Sequence, residues 1–355
     1  MVALSGGVDS AVAALKLLQK GHQVGAVYAR TWVKDDDFLA ECPAKQDIEN
    51  ASAVAQHLGI PFTILSVVKE YRQKIVDYLV TGYRQGLTPN PDILCNREMK
   101  FGILRDHAIA NGCDGFATGH YCQIQTNHLG TPIVSEGADL RKDQSYFLAM
   151  VRSEQLRNTY FPIGVHQKSS VRAIAKKEGL PNADRKDSQG ICFLGKTNIN
   201  QFLSEFIPDQ PGPIVNHENK VVGEHRGLHQ YTIGQRKGIG IPSNTDHRAY
   251  VVVGKDLTSH TLKIAFDEPE QESLFTKRVL LRDINWQVHP DENSTPLLAK
   301  VRYRDSATPI KITVCSNQTI EVFFEQKQRA IAKGQVLAFY QGNRLLGGGF
   351  YQEVY

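Results

Sequence analysis

Four short apolar runs punctuate the first third of the chain: Val2 to Leu4, Val24-Gly25-Ala26-Val27-Tyr28, Phe62-Thr63-Ile64-Leu65 and Gly115-Phe116-Ala117-Thr118. The last three are near the length of a buried strand. Between them lie stretches with helical spacing of apolar positions: Ala11 to Leu18, stopping at Gly21; Ile48 to Leu58, stopping at Gly59; a long amphipathic run from Lys69 to Arg84; and Phe101 to Ala110. Strands alternating with helices at this spacing predict an α/β fold with a doubly wound parallel sheet, its ligands at the carboxyl ends of the strands. Val2 to Leu4 is short for a first strand, since buried strands usually run about five or six residues, so a somewhat longer N-terminus is expected.

The region from Ser153 to Gly195 reads as helical with loops, its best helix running from Ser170 to Glu178 and ending at Gly179. The texture then changes. After Asp209-Gln210-Pro211-Gly212-Pro213 come short β-like runs: Gly227 to Ile241, Tyr250 to Val253 and Thr261 to Ile264. Further runs follow at Val279 to Leu281, Leu298 to Val301, Ile310 to Val314, Ile320 to Phe324 and Val336 to Tyr340. Short alternating strands of this kind predict a small β-barrel or sandwich. The expected division is residues 1–198 for the α/β domain, 199–268 for a central β-rich domain and 269–355 for a C-terminal β domain.

Composition bounds the picture without sharpening it. The 355 residues, 41% hydrophobic and 22% charged, are ordinary for a soluble globular protein of two or three domains. A net charge of +4 permits a polyanionic partner without demanding one. Six cysteines stand singly, at Cys42, Cys95, Cys113, Cys122, Cys192 and Cys315, with no C-x-x-C pair, which argues against a disulfide framework or structural zinc and for a reducing compartment. No apolar run approaches the roughly 20 residues of a membrane span, and a glycine-rich loop by residue five leaves no room for a leader. A cytoplasmic protein, or a processed organellar form, is expected.

That loop, Leu4-Ser5-Gly6-Gly7-Val8-Asp9-Ser10, carries the first chemistry. Adjacent glycines let the backbone take positive φ and approach an anion. A strand, a glycine turn and a helix N-terminus form a nest of N–H groups aimed at phosphate. The plainer reading is a turn in which Asp9 or Ser10 caps a helix. The G-x-x-x-x-G-K-[ST] of a Walker A site is absent. The hexapeptide instead resembles the S-G-G-x-D-S PP-loop of ATP pyrophosphatases, which implies a loop that holds pyrophosphate while the AMP moiety activates a substrate oxygen.

Two cysteines lie in segments that read as polar loops. Cys95 follows Thr88-Pro89-Asn90-Pro91-Asp92-Ile93-Leu94, and Cys192 sits in Asp187-Ser188-Gln189-Gly190-Ile191-Cys192-Phe193-Leu194-Gly195. Loops give a thiol the access a nucleophile needs, whereas Cys113 and Cys315 read as small buried hydrophobes. Further motifs follow in order: Thr118-Gly119-His120-Tyr121, Lys142-Asp143-Gln144-Ser145-Tyr146-Phe147-Leu148, Gly227-Leu228-His229 through Tyr231-Thr232-Ile233-Gly234-Gln235-Arg236-Lys237-Gly238, Arg302-Tyr303-Arg304 and Leu346-Gly347-Gly348-Gly349. Together they resemble the tRNA-specific 2-thiouridylases over essentially the whole chain.

The resemblance implies an ATP- and Mg2+-dependent enzyme that thiolates the wobble uridine of tRNA, built from a PP-loop domain, a central β-rich domain and a C-terminal β-barrel. ATP adenylates uracil O2, sulfur arrives as a persulfide on Cys192, and Cys95 is the nucleophile that frees it, leaving a Cys95–Cys192 disulfide to be reduced. A thiolate must attack next to a persulfide sulfur for that sulfur to leave, so two thiols 97 residues apart in sequence have to meet. Asp92 is the implied acid/base group beside the base; as plain structure it is an Asx turn after Pro91. Ala3, Leu4, Ser5, Gly6, Gly7, Val8, Asp9, Ser10 and Gly119 are implied to line the ATP site, with Ala29 at the adenine contact. Asn90, Pro91 and Asp92 are implied to meet the target base. Lys142, Asp143, Gln144, Arg302 and Tyr303 are implied tRNA contacts, with His120 and Gln335 beside them. The sulfur donor implied is a cysteine desulfurase, directly or through relay proteins; no protein-held metal is expected.

The chain departs from the family pattern in three places: Ala29-Arg30-Thr31-Trp32 replaces Met-Lys-Asn-Trp, Lys333-Gly334-Gln335 replaces Pro-Gly-Gln, and Cys122 stands for a common Ala close enough to the expected active loop to react adventitiously. Two other readings use less of the sequence. A PP-loop ligase that adenylates a small acid leaves both cysteine segments idle, and a non-catalytic tRNA-binding protein leaves the intact thiols and loop unexplained.

Overall fold

The computed structural model describes residues 1–32, 43–186, 198–242, 248–269, 271–291, 295–316 and 318–355. The Cys192 segment, Cys42 and the acidic run Asp35 to Asp37 lie outside the described residues.

The first domain is organised by strands β1 (Val2–Ala3), β2 (Ala26–Arg30), β3 (Phe62–Ser66) and β4 (Phe116–Ala117), an added hairpin β5 (Cys122–Thr126) and β6 (Pro132–Glu136), and β7 (Thr159–Tyr160). β1, β2, β3, β4 and β7 form one parallel sheet in the order β3-β2-β1-β4-β7. The order reverses beside β1, so the crevice of a doubly wound sheet falls at the glycine loop. Helix α1 (Val8–Gln19) follows that loop, and α2 (Pro43–Leu58) follows β2. One face of the sheet packs Val2 and Leu4 against Ala11, Ala14, Val54, Ile163 and Val171 in a core of small side chains that brings α1, α2 and the helix Lys168–Lys177 close.

On the other face lie two long helical stretches, residues 68–84 and 91–110. The second corrects an expectation. Asn90 caps it, its Oδ1 accepting from the Ile93 N–H at 3.3 Å, and Pro91 takes the first helical position, where its missing N–H costs nothing. The segment expected as a loop is therefore helix, and Cys95 begins a π-helical run, Cys95–Leu104. Local winding of this kind is rare and recurs at functional sites.

The central region contributes β8 (Gly212–Val215), β9 (Val221–His225), β10 (Tyr250–Asp256) and β11 (Thr261–Phe266), ordered β10-β11-β8-β9. The expected β-run from Gly227 to Ile241 is instead a short helical turn, Leu228–Gln230, and irregular chain, because Gly234, Gly238 and Gly240 adopt positive φ that no strand accommodates.

At the C-terminus, β12 (Phe275–Trp286), β13 (Leu297–Lys300), β14 (Thr308–Ser316), β15 (Thr319–Arg329), β16 (Val336–Gln341) and β17 (Arg344–Val354) run antiparallel in the order β12-β15-β14-β13-β16-β17. β12 also pairs with β17, so the sheet closes into a barrel rather than a sandwich. Its interior is filled by Val279, Leu281, Val322, Phe324, Leu337 and Phe339. The hairpin β5–β6, unforeseen in the sequence, reaches out of the first domain and pairs Val134 and Ser135 with Leu345 and Arg344 of β17. Among the described residues no helix is long and apolar enough to cross a membrane.

Candidate active site

The glycine loop takes the shape its composition demands. Gly6 has φ +78°, and a Cβ there would lie 2.5 Å from the Asp47 carbonyl oxygen, so both conformation and space require glycine. Its own carbonyl accepts from Asn182 Nδ2 at 2.8 Å and Arg185 Nη1 at 3.0 Å, while Arg185 also pairs with the Asp47 carboxylate. Gly7 starts α1 with no side-chain cap. The plainer alternative, a helix capped by Asp9 or Ser10, is therefore not what forms. Ser10 Oγ donates back to the Gly7 carbonyl at 3.0 Å and accepts from the Ser5 N–H at 3.2 Å, which holds the loop closed. Uncapped N–H groups at a helix N-terminus, beside a backbone that no Cβ crowds, suit a phosphate.

Asp9 sits in the first turn of α1. Its carboxylate accepts from Lys168 Nζ at 2.7 and 2.8 Å and from the Tyr121 hydroxyl at 2.7 Å. Lys168, Asn182 and Arg185 were not singled out in the sequence. Nothing local marks them; only the packing of helix Lys168–Lys177 and the chain beyond it against α1 brings them to the loop.

The connection after β4, Thr118 to Tyr121, joins the loop to the Cys95 helix. A Cβ on Gly119 would lie 2.8 Å from the Asp9 carbonyl carbon and the Ser10 nitrogen, so Gly119 is packed onto the start of α1. The next residue faces the other way. His120 Nε2 lies 3.1 Å from Asn96 Oδ1, and Nδ1 lies 2.6 Å from Thr118 Oγ1. Phe101 and Phe161 flank the ring, and burial, with a smaller contribution from Lys100, holds its pKa well below the usual value. His120 is thus a neutral, fully engaged histidine that fixes Asn96, the neighbour of Cys95.

Cys95 is 1% exposed, within the apolar core, while Asp92 is half-buried one turn before it. Asn90 Nδ2 donates to Gln335 Oε1 at 3.2 Å, and Gln335 Nε2 donates to the Thr88 carbonyl at 2.7 Å, so Gln335 of the barrel supports the Asn90–Asp92 turn. Gln144 braces Tyr121 through both backbone groups, at 2.9 and 3.0 Å. Asp143 is buried and accepts from the Gly137 and Ser145 N–H groups, the Ser145 hydroxyl and Lys300.

Lys142, Arg302 and Tyr303 remain at the surface or partly so. Tyr303 packs on Phe147 at 4.4 Å between centroids, and Arg302 is tied to Asp305 at 3.0 Å and to the Arg329 carbonyl at 2.9 Å. Ala3 is half-buried at the end of β1, and Ala29 is buried in β2. Cys122 is fully buried, and burial, then Asp143, pushes its thiol pKa far up, so it is inert rather than adventitiously reactive. Cys315, expected inside, is exposed.

Three family models match in series: the tRNA methyl transferase HUP domain over residues 1–196, the tRNA methyl transferase PRC-barrel domain over 200–265 and the aminomethyltransferase β-barrel domain over 276–350. The tRNA-specific 2-thiouridylase MnmA of Akkermansia muciniphila is 45% identical over 354 residues, covering 100% of this chain and 98% of its own. The protein of the same name from Streptococcus pyogenes serotype M3 is 41% identical over 358 residues, covering 100% and 95%. Among solved structures, NMN synthetase from Francisella tularensis covers 54% of this chain and 68% of its own at 18% identity and TM-score 0.34, a likeness too slight to argue from. With full-length identity of this degree joined to the loop and cysteine helix described above, the chain belongs to the tRNA-specific 2-thiouridylase family.

Proposed function

We propose that this protein converts the wobble uridine of tRNA to 2-thiouridine, using ATP to activate uracil O2 and a cysteine persulfide as the sulfur source. The observation that carries the reading is the Thr118–Tyr121 connection, which fixes the phosphate-binding loop on one side and the Cys95 helix on the other. One short segment thereby ties the glycine loop to the helix that carries Cys95, an arrangement that supports a thiolase over an amide-forming ligase.

The residues at the loop fit ATP: an uncapped helix N-terminus, a tight turn at Gly6 with φ +78°, and Lys168 beside Asp9. Ser5 to Ser10 would hold its phosphates, with Mg2+ accompanying them, and ATP would supply the adenylyl group that makes uracil O2 a leaving group. Asp92, on the turn braced by Gln335, stands ready to move the ring proton. In sulfur delivery the Cys95 thiolate attacks the Cys192 sulfur of the persulfide; an S–S bond forms between the two cysteines, and the outer sulfur leaves as hydrosulfide to attack C2 and expel AMP. A reductant then restores the two thiols. Cys95 itself is buried in the core.

Purified protein with tRNA, ATP·Mg and a persulfide donor is expected to release AMP and form 2-thiouridine, scored by nucleoside mass spectrometry, both dependent on tRNA. Neither product would overturn the reading. Cys192→Ser is expected to abolish thiolation while AMP formation persists in part; wild-type thiolation by that variant sinks the persulfide role. Asp9→Asn is expected to lower AMP formation, and an undiminished rate counts against the loop assignment.

A further inference from the structure

We propose that Lys168 is the residue through which the loop selects a polyphosphate, exchanging the Asp9 carboxylate for the pyrophosphate part of the nucleotide. The inference rests on the reading that this loop holds ATP. Lys168 Nζ contacts both Asp9 oxygens, at 2.7 and 2.8 Å, and lies 5.6 Å from the Tyr121 ring centroid. Its side chain is 12% exposed against 33% for Asp9, so the cation is held inside while the carboxylate faces outward.

Asp9 stands in the first turn of α1, where the helix N-terminus favours a negative charge. A phosphate arriving at the same N–H groups comes up against that carboxylate. Two anions at one helix terminus repel unless a cation stands between them, and Lys168 is already there. A lysine ammonium is a compact charge with three rotatable donors, so it can keep one bond to Asp9 and turn another to phosphate. The Tyr121 hydroxyl, at 2.7 Å, keeps the carboxylate in place during that exchange.

The direction of approach identifies which part of the nucleotide is read. In the sheet order β3-β2-β1-β4-β7, Ala29 on β2 lies to one side of the loop strand. Lys168 comes from the other side, from the helix that follows β7, next to the Thr118–Tyr121 connection. It therefore faces the phosphates at the α1 terminus and stands away from the side where adenine is expected. Lys168 discriminates ATP and pyrophosphate from AMP, and so favours entry of ATP and exit of AMP once the adenylyl bond has been spent.

The test is calorimetric titration of the full chain with inorganic pyrophosphate and, separately, with AMP, both in the presence of Mg2+. Lys168→Met is expected to weaken pyrophosphate binding on the order of 10- to 100-fold, the worth of one charge-assisted hydrogen bond, with AMP binding changed less than about 2-fold. Lys168→Arg keeps the charge and is expected to restore most of the pyrophosphate affinity. Lys168→Gln, which keeps the length and a donor, serves if the Met variant does not fold, with the same expectation as Met. Wild-type pyrophosphate affinity in the neutral variants, or an equal loss for AMP, overturns the proposal. Failure of the wild-type protein to bind either pyrophosphate or ATP overturns the loop reading itself, a result distinct from failure of the Lys168 role.

Discussion

The barrel and the central domain both reach Thr88, two residues before Asn90, and they hold it differently. From the barrel, Gln335 Nε2 donates to the Thr88 carbonyl at 2.7 Å, and the Thr88 N–H donates to the Lys333 carbonyl at 2.8 Å. From the central domain comes a single hydroxyl contact, Thr232 Oγ1 at 3.4 Å. The same contrast runs through the two junctions. Val134, Tyr146, Leu148 and Ala149 share one apolar core with Val336, Tyr340 and Leu345 of the barrel. Asn285 Nδ2 donates to the Ala149 and Val151 carbonyls, both at 2.9 Å, and Gln287 Nε2 to those of Leu148 and Val151, at 2.7 and 2.9 Å. The sheet of the central domain has its own core around Ile214, Val252 and Ile264 and meets the barrel in a small cluster of Val251, Leu274 and Ala330, while Phe202, Leu203 and Ile207 at the start of that domain join the shared core. The barrel thus shares its core broadly with the first domain, whereas the sheet of the central domain packs on a core of its own.

Two lysines express that difference in charge. Burial alone would lower the pKa of Lys300, but Glu136 at 2.6 Å and Asp143 at 3.2 Å raise it above the usual lysine value. Lys255, in the central domain, donates to the Tyr231 carbonyl at 3.0 Å, and burial pushes it down to about 8. The largest expected effect follows from the first. Lys300→Met leaves Asp143, 4% exposed, and Glu136 without their cation, and should cost about 3–5 kcal/mol of stability, measured by denaturant unfolding. A loss below about 1 kcal/mol would show that the barrel junction does not depend on this cluster.

The second lysine predicts the opposite sign. The folded pKa of Lys255 lies below its unfolded value near 10.5, so between about pH 8 and 10.5 the unfolded chain binds more protons and stability rises with pH. Below pH 8 the cost of a buried ammonium is felt in full. Lys255→Met removes that cost together with one hydrogen bond to a carbonyl, and should stabilise the protein at neutral pH by about 1–3 kcal/mol while abolishing the rise. Unchanged pH dependence of the melting temperature would show that Lys255 is hydrated.

How far these arrangements could be read from sequence depends on how local they are. The glycine loop and α1 are contiguous, so their chemistry was visible in seven residues. The barrel strands were visible as alternation, and their closure was not, because it rests on β12 meeting β17, strands at opposite ends of the domain. Lys168 is 159 residues from Asp9, and no spacing rule links them. The segment before Cys95 reads as a loop because Asn-Pro-Asp serves equally as a turn and as a capped helix start, and only the long helix behind it decides. Asp143 and His120 lie in motifs that read as RNA contacts, yet their polar atoms face inward, which residue type alone does not reveal.

A smaller effect is expected where the barrel touches the Asn90–Asp92 turn. Gln335→Ala leaves the Thr88 carbonyl and the Asn90 amide without their partner, at about 1–2 kcal/mol of stability. If the turn's geometry matters for chemistry, kcat for thiolation falls while the dissociation constant for tRNA stays within about 2-fold; an equal loss in both would make Gln335 an RNA contact instead.

The smallest expected effect gives the sharpest test of the comparison. Thr232→Val keeps the shape of the side chain and removes the hydroxyl that meets Thr88 Oγ1, at a separation near the limit for a hydrogen bond. Stability should change by less than about 0.5 kcal/mol, because both hydroxyls lie where water can replace the partner. In the Gln335→Ala background, however, Thr232 becomes the remaining side-chain support of Thr88. The double variant should then lose more thiolation than the product of the two single losses, with a coupling of about 0.5–1 kcal/mol, because the two residues brace one backbone segment from opposite domains. Strict additivity would mean that the Thr232 contact does not help to position Thr88 and the turn that follows it.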